Sequence, residues 1–384
     1  MIQYYLAFVL NTQFNIGILK LIFIAFVFTH SFILERRSTI GKFNLMLLGL
    51  LLYGSIGTLI YMIAHPHALD NITIPLRIRF TFIEIFFSIA LYIYLQNKPI
   101  EYILRLLLIG VILNAIAGTI QFILEPFARI QMLFPEPSAA GYYYLFIFFI
   151  IYEKFRHGWP MIGSRYFMLI GLAIGSKAQY ALLLAVGLLH YLSPRRLIIF
   201  LSILVTFTYL FRAEIMGIPA VKYNINVAEV YWEQGLSGLN SSNRIWNTYS
   251  TRLAAIEGSV RCISENPLGI GFGSYDDWFK TNMKNTGLIN SEINDVLWGK
   301  KYATSKSNLL ELFVATGIFG IALYIYIGRY FYRYRHEHGY IFKSFVMLTL
   351  ASLFIELSPM FIYLTILWVL LEKELHNKLT EKTA

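Results

Sequence analysis

The chain is short of cysteine and of charge. Its one cysteine, Cys262, excludes an internal disulfide and any zinc site built from cysteines. Only 14% of the 384 residues are charged, where a soluble domain carries roughly 25%, so an ordinary water-soluble fold is excluded. The N-terminus lacks the basic segment and cleavage pattern of a secretory signal, and the first apolar segment is therefore expected to remain as a membrane helix. Acidic residues are fewer than basic ones, 22 against 32, which leaves a net charge of +10. A nucleic-acid partner would need that charge on one contiguous face. Instead Arg36, Arg37, Lys42, Lys154, Arg156, Arg165, Arg195, Arg196, Arg329, Arg333, Arg335 and Lys343 fall in short links between apolar runs, on alternate turns. That is the positive-inside pattern, and it argues against nucleic acid.

What the chain does have is apolar length. It is 57% hydrophobic, with a mean hydropathy of +0.58, and apolar runs recur at 16–34, 43–64, 78–96, 101–124, 139–154, 166–176, 178–192, 196–213, 308–328, 341–357 and 359–372. A helix crosses a bilayer in about 20 residues. The expected fold is all-α: a polytopic membrane protein of about 11–12 transmembrane helices. Residues 1–212 form a first membrane block, 213–307 one large loop, and 308–384 a second block with a short tail. With the basic links inside, the loop lies outside, and Lys373 and Lys378 lie inside. Met1–Thr12 is open between an extra membrane segment and an external terminus.

The spans 166–176 and 178–192 are each too short to cross alone. Read as one helix broken at Gly175-Ser176-Lys177, they place Lys177 at the mouth of a cavity, because freed backbone is tolerated only where it is buried or lines one. Lys177 is thus a candidate ligand contact, with an interfacial lysine as the plainer reading. The loop carries Trp232, Trp246, Trp278 and Trp298, too many aromatics for a solvated tail. Ser242 is placed to cap a helix over 243–264, whose Ile245, Tyr249, Leu253, Ile256, Val260 and Ile263 form one apolar stripe. That helix is expected on the membrane surface or on the bundle, ending at Asn266-Pro267.

Chemistry-bearing residues collect on the same side. Arg252 lies fifteen residues before Pro267, and the segment Pro-Leu-Gly-Ile-Gly-Phe-Gly follows the helix. A guanidinium fork and exposed backbone N–H groups suit an oligophosphate. Gly269, Gly271 and Gly273 have two readings: a turn requiring positive φ, or a backbone nest for an anionic ligand. Arg244 and Arg261 are further cations, equally at home on lipid headgroups. Glu136, between two prolines ahead of a span, either acts as a proton acceptor or caps that helix. Arg77, Arg79 and Arg129 read as headgroup contacts and Glu84 as an arginine's partner. His65-x-His67 is a weak metal pair, and Asp276-Asp277 has no third ligand spaced with it.

Several motifs in order resemble a known family. They are the Arg252–Tyr275 loop, Pro135-Glu136-Pro137-Ser138, Gly175-Ser176-Lys177, and the run from Lys306 through Leu310-Glu311 to Gly317-x-x-Gly320. Together they are similar to the O-antigen polymerase and O-antigen ligase families of bacterial envelope glycosyltransferases, over roughly residues 100–372. The resemblance implies a GT-C-like membrane fold with a helical periplasmic loop. It also implies a multi-pass protein of the bacterial inner membrane with its site facing the periplasm. The implied reaction joins oligosaccharide repeat units carried on undecaprenyl diphosphate, with inversion at the anomeric carbon. No metal or cofactor is implied. The implied partners are the lipid-linked donor and acceptor, the bilayer, and a chain-length regulator and flippase of the same pathway. Ligase-type members have a histidine where this chain has Lys306, and a protonated lysine is a poor base. The polymerase reading is therefore preferred over a ligase, and over a flippase or other transporter. The base falls to Glu136 or Glu311; Arg252, Lys177, Arg244, Arg261, Lys306 and the three glycines are the substrate-binding candidates.

Overall fold

The computed structural model describes residues 17–34, 41–126, 129–174, 219–235, 244–283, 291–354 and 360–383, with isolated positions at 179, 199, 202–203 and 206. These residues are helical, with no strand among them. Four helices are long and apolar enough to cross a membrane: α2 (Lys42–Ala64), α3 (Thr73–Gln96), α4 (Ile100–Leu124) and α11 (Asn308–Arg333). The chain is a helical membrane protein. Around these pack α1 (Gly17–Phe28, continued by a π-helical turn to Leu34), α5 (Pro137–Lys154), α6 (Gly158–Leu172), α12 (Gly339–Phe354) and α13 (Met360–Thr383). The large loop contributes α7 (Pro219–Gln234), α8 (Arg244–Glu265), α9 (Tyr275–Asn282) and α10 (Ser291–Leu297). The expected spans at 178–192 and 196–213, the helix break with Lys177, and Ser242 lie outside the described residues, apart from the isolated positions.

Prolines set several of the ends. Pro66 follows the last residue of α2 closely, and the His65 N–H closes that helix on the Tyr61 carbonyl. Pro99 precedes α4, and Pro137 occupies the first position of α5, where its missing N–H has no helical partner to lose. The span expected at 166–176 begins earlier, at Gly158, which adopts φ +67 and turns the chain into Pro160.

The helix α5 is the axis of the bundle. Tyr142 through Ile147 are all buried, so no face of α5 is open. Such a helix is apolar all round, which is what a helix surrounded by others requires. α12 packs along it, α4 packs on α6, and α3 is flanked by α1 and α13. Ring stacking ties the layers: Phe146 on Tyr363 at 4.2 Å and Trp368 on Tyr330 at 4.3 Å.

The two ends of the bundle differ. One is closed by charge: Lys154 pairs with Glu374, which also accepts from the Tyr340 hydroxyl at 2.8 Å. Glu372 accepts from Tyr92 at 2.9 Å and from the Trp368 indole at 2.8 Å. At the other end stand the heads of α3, α5, α11 and α13 and the described helices of the loop, α7 to α10. We call this the loop end.

Candidate functional site at the loop end

The segment Pro267–Gly273 is a strap pressed into a break in α11. Gly317 leaves helical geometry at φ +53 and ψ −141, so α11 is two helices joined at a kink. In an unbroken helix the carbonyls of Val314 and Ala315 would accept bonds from the next turn. Here Val314 accepts the Ile270 N–H at 3.0 Å and Ala315 the Gly271 N–H at 2.9 Å, while the Ile318 N–H donates to the Pro267 carbonyl at 2.8 Å. The break is thus fully stitched to the strap.

On its other side the strap meets α2: Tyr53 donates to the Leu268 carbonyl at 2.9 Å and Thr58 to the Phe272 carbonyl at 3.2 Å. A Cβ on Gly271 would lie 2.0 Å from the Thr58 nitrogen, and one on Gly317 would lie 2.2 Å from the Pro267 oxygen. Backbone on backbone at this distance admits only glycine. Of the two readings of the glycines, the turn is therefore present: Gly269, Gly271 and Gly273 each adopt φ +83. The N–H groups of Gly269 and Gly271 are bonded to the Asn266 and Ala315 carbonyls, and so are not available to a diphosphate.

Beyond the strap, Asp276 and Asp277 fasten the loop to the α2–α3 hairpin. Asp276 is buried and accepts from Asn71 at 3.2 Å, Thr73 at 3.3 Å, Lys280 at 2.7 Å and the Ala303 N–H at 2.6 Å. Asp277 accepts from Tyr61 at 2.9 Å and faces His67 at 3.3 Å. His65 stacks on Tyr61. The acidic pair and the His-x-His are thus two halves of one clasp, a role the sequence reading missed. Among the described residues, no three His, Cys, Asp or Glu are grouped as a metal site requires.

α8 lies against α11 on a face of small residues: Ala254, Ala255, Gly258, Ser259 and Cys262. The Tyr275 hydroxyl donates to the Ala255 carbonyl at 2.9 Å, and a Cβ on Gly258 would lie 2.9 Å from that oxygen. Of the two places expected for the apolar stripe, its described residues do not take the bundle side. Leu253 and Ile263 are half-buried at its edge, while Ile256 and Val260 are exposed. Burial pushes the Cys262 thiol up to about 12, helped by the nearby Glu265 and Glu311 carboxylates and opposed by its bond with Asn266. At pH 8 almost none of it is thiolate, the reactive form. Folded protein should stay unlabelled by N-ethylmaleimide at pH 8 and label fully in denaturant; rapid labelling before denaturation would show that α8 detaches.

At the head of α11 stands a cationic residue with a constrained backbone. Lys306 sits at φ +55, a left-handed conformation that side-chain-bearing residues rarely adopt. Its neighbours enforce it. Ser305 donates to the Ser307 carbonyl at 2.5 Å, the Ser305 N–H donates to Glu311 at 3.1 Å, and Ser307 donates to the Ser352 carbonyl at 2.9 Å while capping Leu310. Strain of about 1–3 kcal/mol persists where the surroundings over-determine it, and such residues cluster at functional sites. Glu311, half-buried in the first turn of α11, acts electrostatically on Cys262 and Tyr275, which places it toward α8 and α9.

The other candidates distribute as follows. Arg252 is exposed on α8, and Arg261 is exposed and pairs with Glu265 at 2.7 Å; Arg244 is the first residue of α8. Glu136 is the exposed N-cap residue of α5, its carboxylate accepting from the Ser138 hydroxyl. Of the two roles expected for it, the helix-start position is the one it occupies, without a side-chain bond to the α5 backbone. The head of α5 does meet that of α11 indirectly, because the Tyr142 hydroxyl bonds Ser352 Oγ at 2.7 Å. Arg252 thus lies on α8 and Lys306 and Glu311 at the head of α11, two helices that pack on each other, with Glu136 at the head of α5. No family model matches the chain, and no curated protein matches it.

Proposed function

We propose that this protein is a polysaccharide polymerase of the O-antigen type, an inverting glycosyltransferase acting at the outer face of the bacterial inner membrane. Its donor and acceptor are oligosaccharide repeat units on undecaprenyl diphosphate. The observation that carries the reading is Lys306, held in a left-handed turn by Ser305, Ser307 and Glu311 at the head of a membrane helix. The acceptor hydroxyl attacks the anomeric carbon, the bond to the diphosphate oxygen breaks, and the lipid diphosphate leaves with the electron pair. Fixed cations belong where that charge gathers, and Lys306 and Arg252 supply them. The hydroxyl proton goes to a carboxylate. Glu311 is the better placed of the two candidates, being half-buried beside Lys306, whereas Glu136 is exposed.

A strain lacking the gene decides the reaction. Single repeat units on the lipid A core support a polymerase, glycan accumulating on undecaprenyl diphosphate at the outer face points to a ligase, and repeat units held at the inner face point to a flippase. Within the polymerase, Glu311→Gln should lower polymer synthesis by about 10²–10⁴-fold, the usual general-base contribution. Arg252→Lys should fail nearly as badly as Arg252→Ala, since lysine lacks the two-pronged contact. Normal polymer from Glu311→Gln together with loss in Glu136→Gln would move the base to α5.

A further inference from the structure

We infer that the loop is seated in the membrane itself: the strap is a re-entrant segment, and the open apolar face of α8 is covered by the acyl chains of the leaflet at the loop end. Depth is the first argument. Thr58 lies six residues from the end of α2, and Gly317 lies nine residues into α11. At 1.5 Å per residue, the strap bound to both sits about 9–13 Å below the helix ends. Both helices are long and apolar enough to cross a bilayer, so this is membrane depth. Leu268, at the tip of the strap, is 68% exposed there. Beside it run the exposed flanks of the same two helices, Leu52, Ile56, Leu59, Ile60 and Ile63 on α2, and Ile318 and Phe319 on α11. Tyr53 joins the two flanks, bonding the Leu268 carbonyl and stacking on Phe319 at 4.6 Å. Leu268 thus continues a surface that faces lipid.

The second argument is the division of α8. At about 100° per residue, its side chains fall into three separate sectors. The small buried residues Ala254, Gly258 and Cys262 face the protein. Glu257, Arg261 and Ser264 form an exposed polar sector, and Ile256 and Val260, with Leu253 and Ile263 at their sides, form an exposed apolar one. A helix between protein and water needs two faces. A helix at the junction of protein, water and lipid needs three, and α8 has them. Arg252 lies at the border of the apolar and buried sectors, at a suitable place for headgroup phosphate as well as for a substrate diphosphate. The inference stands on the helix geometry and holds whether or not the polymerase reading does.

The test is collision accessibility of spin labels, with the protein in nanodiscs of phosphatidylethanolamine and phosphatidylglycerol. Single cysteines replace Ile256, Val260, Leu268, Glu257 and Arg261 in a Cys262→Ala background, each checked for monodispersity. Labels at 256, 260 and 268 should collide with oxygen, which concentrates in acyl chains, several-fold more than with a water-soluble nickel chelate. Labels at 257 and 261 should show the reverse. Nickel access at 256, 260 and 268 would overturn the inference in favour of a water-filled crevice. Protection of those three from both reagents would overturn it in favour of cover by protein.

Discussion

Gly271→Ala should destabilise the loop end more than a methyl group added at any other described glycine. The new Cβ would lie 2.0 Å from the Thr58 nitrogen and 2.3 Å from its Cα, against the backbone of a membrane helix. It would also sit at φ +83, where a side chain costs about 1–2 kcal/mol. Moving the strap away to relieve the contact breaks the bonds to Val314 and Ala315, leaving carbonyls unsatisfied at membrane depth at about 1–3 kcal/mol each. A total loss of about 4 kcal/mol or more is at the extreme of single substitutions. Gly299→Ala is the control. Gly299 also has positive φ, +73, but nothing lies within 4 Å of its added Cβ. It should lose only about 1–2 kcal/mol, the backbone term alone. Melting in detergent, followed by size-exclusion chromatography with fluorescence detection, reads both. Equal melting temperatures for the two variants would show that the strap is not wedged between α2 and α11.

The contrast between those glycines also shows how far the sequence could be read. Apolar runs are a local signal, and α2, α3, α4, α5 and α11 stand within a few residues of the runs that announced them. The alternating glycines after Pro267 likewise offered a turn as one of two readings, and the turn is what stands there. What the sequence could not disclose was the turn's partner, since the strap meets α2 across a separation of more than 200 residues. Gly317 offered a faint cue as a glycine inside an apolar run, but such a residue is tolerated in many helices. Periodicity left α8 open between the membrane surface and the bundle, and did not disclose the face that packs on the protein, for a physical reason. A stripe of large apolar residues is the usual mark of a core face. Here Tyr275 and Phe279 press so closely on α8 that only alanine, glycine, serine and cysteine fit against them. Lys306 was noticed for the histidine it replaces. Its strained backbone is set by Ser305, Ser307 and Glu311 together, and no spacing rule would have announced it.

Asp276→Asn should release the loop from the α2–α3 hairpin while leaving the membrane bundle folded. Asp276 is buried and offers two carboxylate oxygens to four donors: Asn71, Thr73, Lys280 and the Ala303 N–H. An asparagine keeps one acceptor oxygen, enough for the Ala303 N–H. Its amide nitrogen then faces three other donors, one of them an ammonium group. Removing one partner from a buried ion pair costs about 3–5 kcal/mol, because the remaining charge is left uncompensated. Asp277→Asn is milder by the same reasoning. Its amide oxygen can still accept from Tyr61, and His67, its second partner, is largely exposed. About 1 kcal/mol, the net worth of one ordinary hydrogen bond, is the expected loss. Limited proteolysis in detergent separates the two, since a released loop is cut within 219–307 while the helices stay intact. Cleavage should be much faster in Asp276→Asn than in the wild type, and nearly unchanged in Asp277→Asn. If the proposed site depends on α8 being held against α11, polymer synthesis should fall with the first variant and survive the second. A fast-cut Asp276→Asn variant that still makes full-length polymer would separate the clasp from the chemistry, leaving the head of α11 to act without the loop.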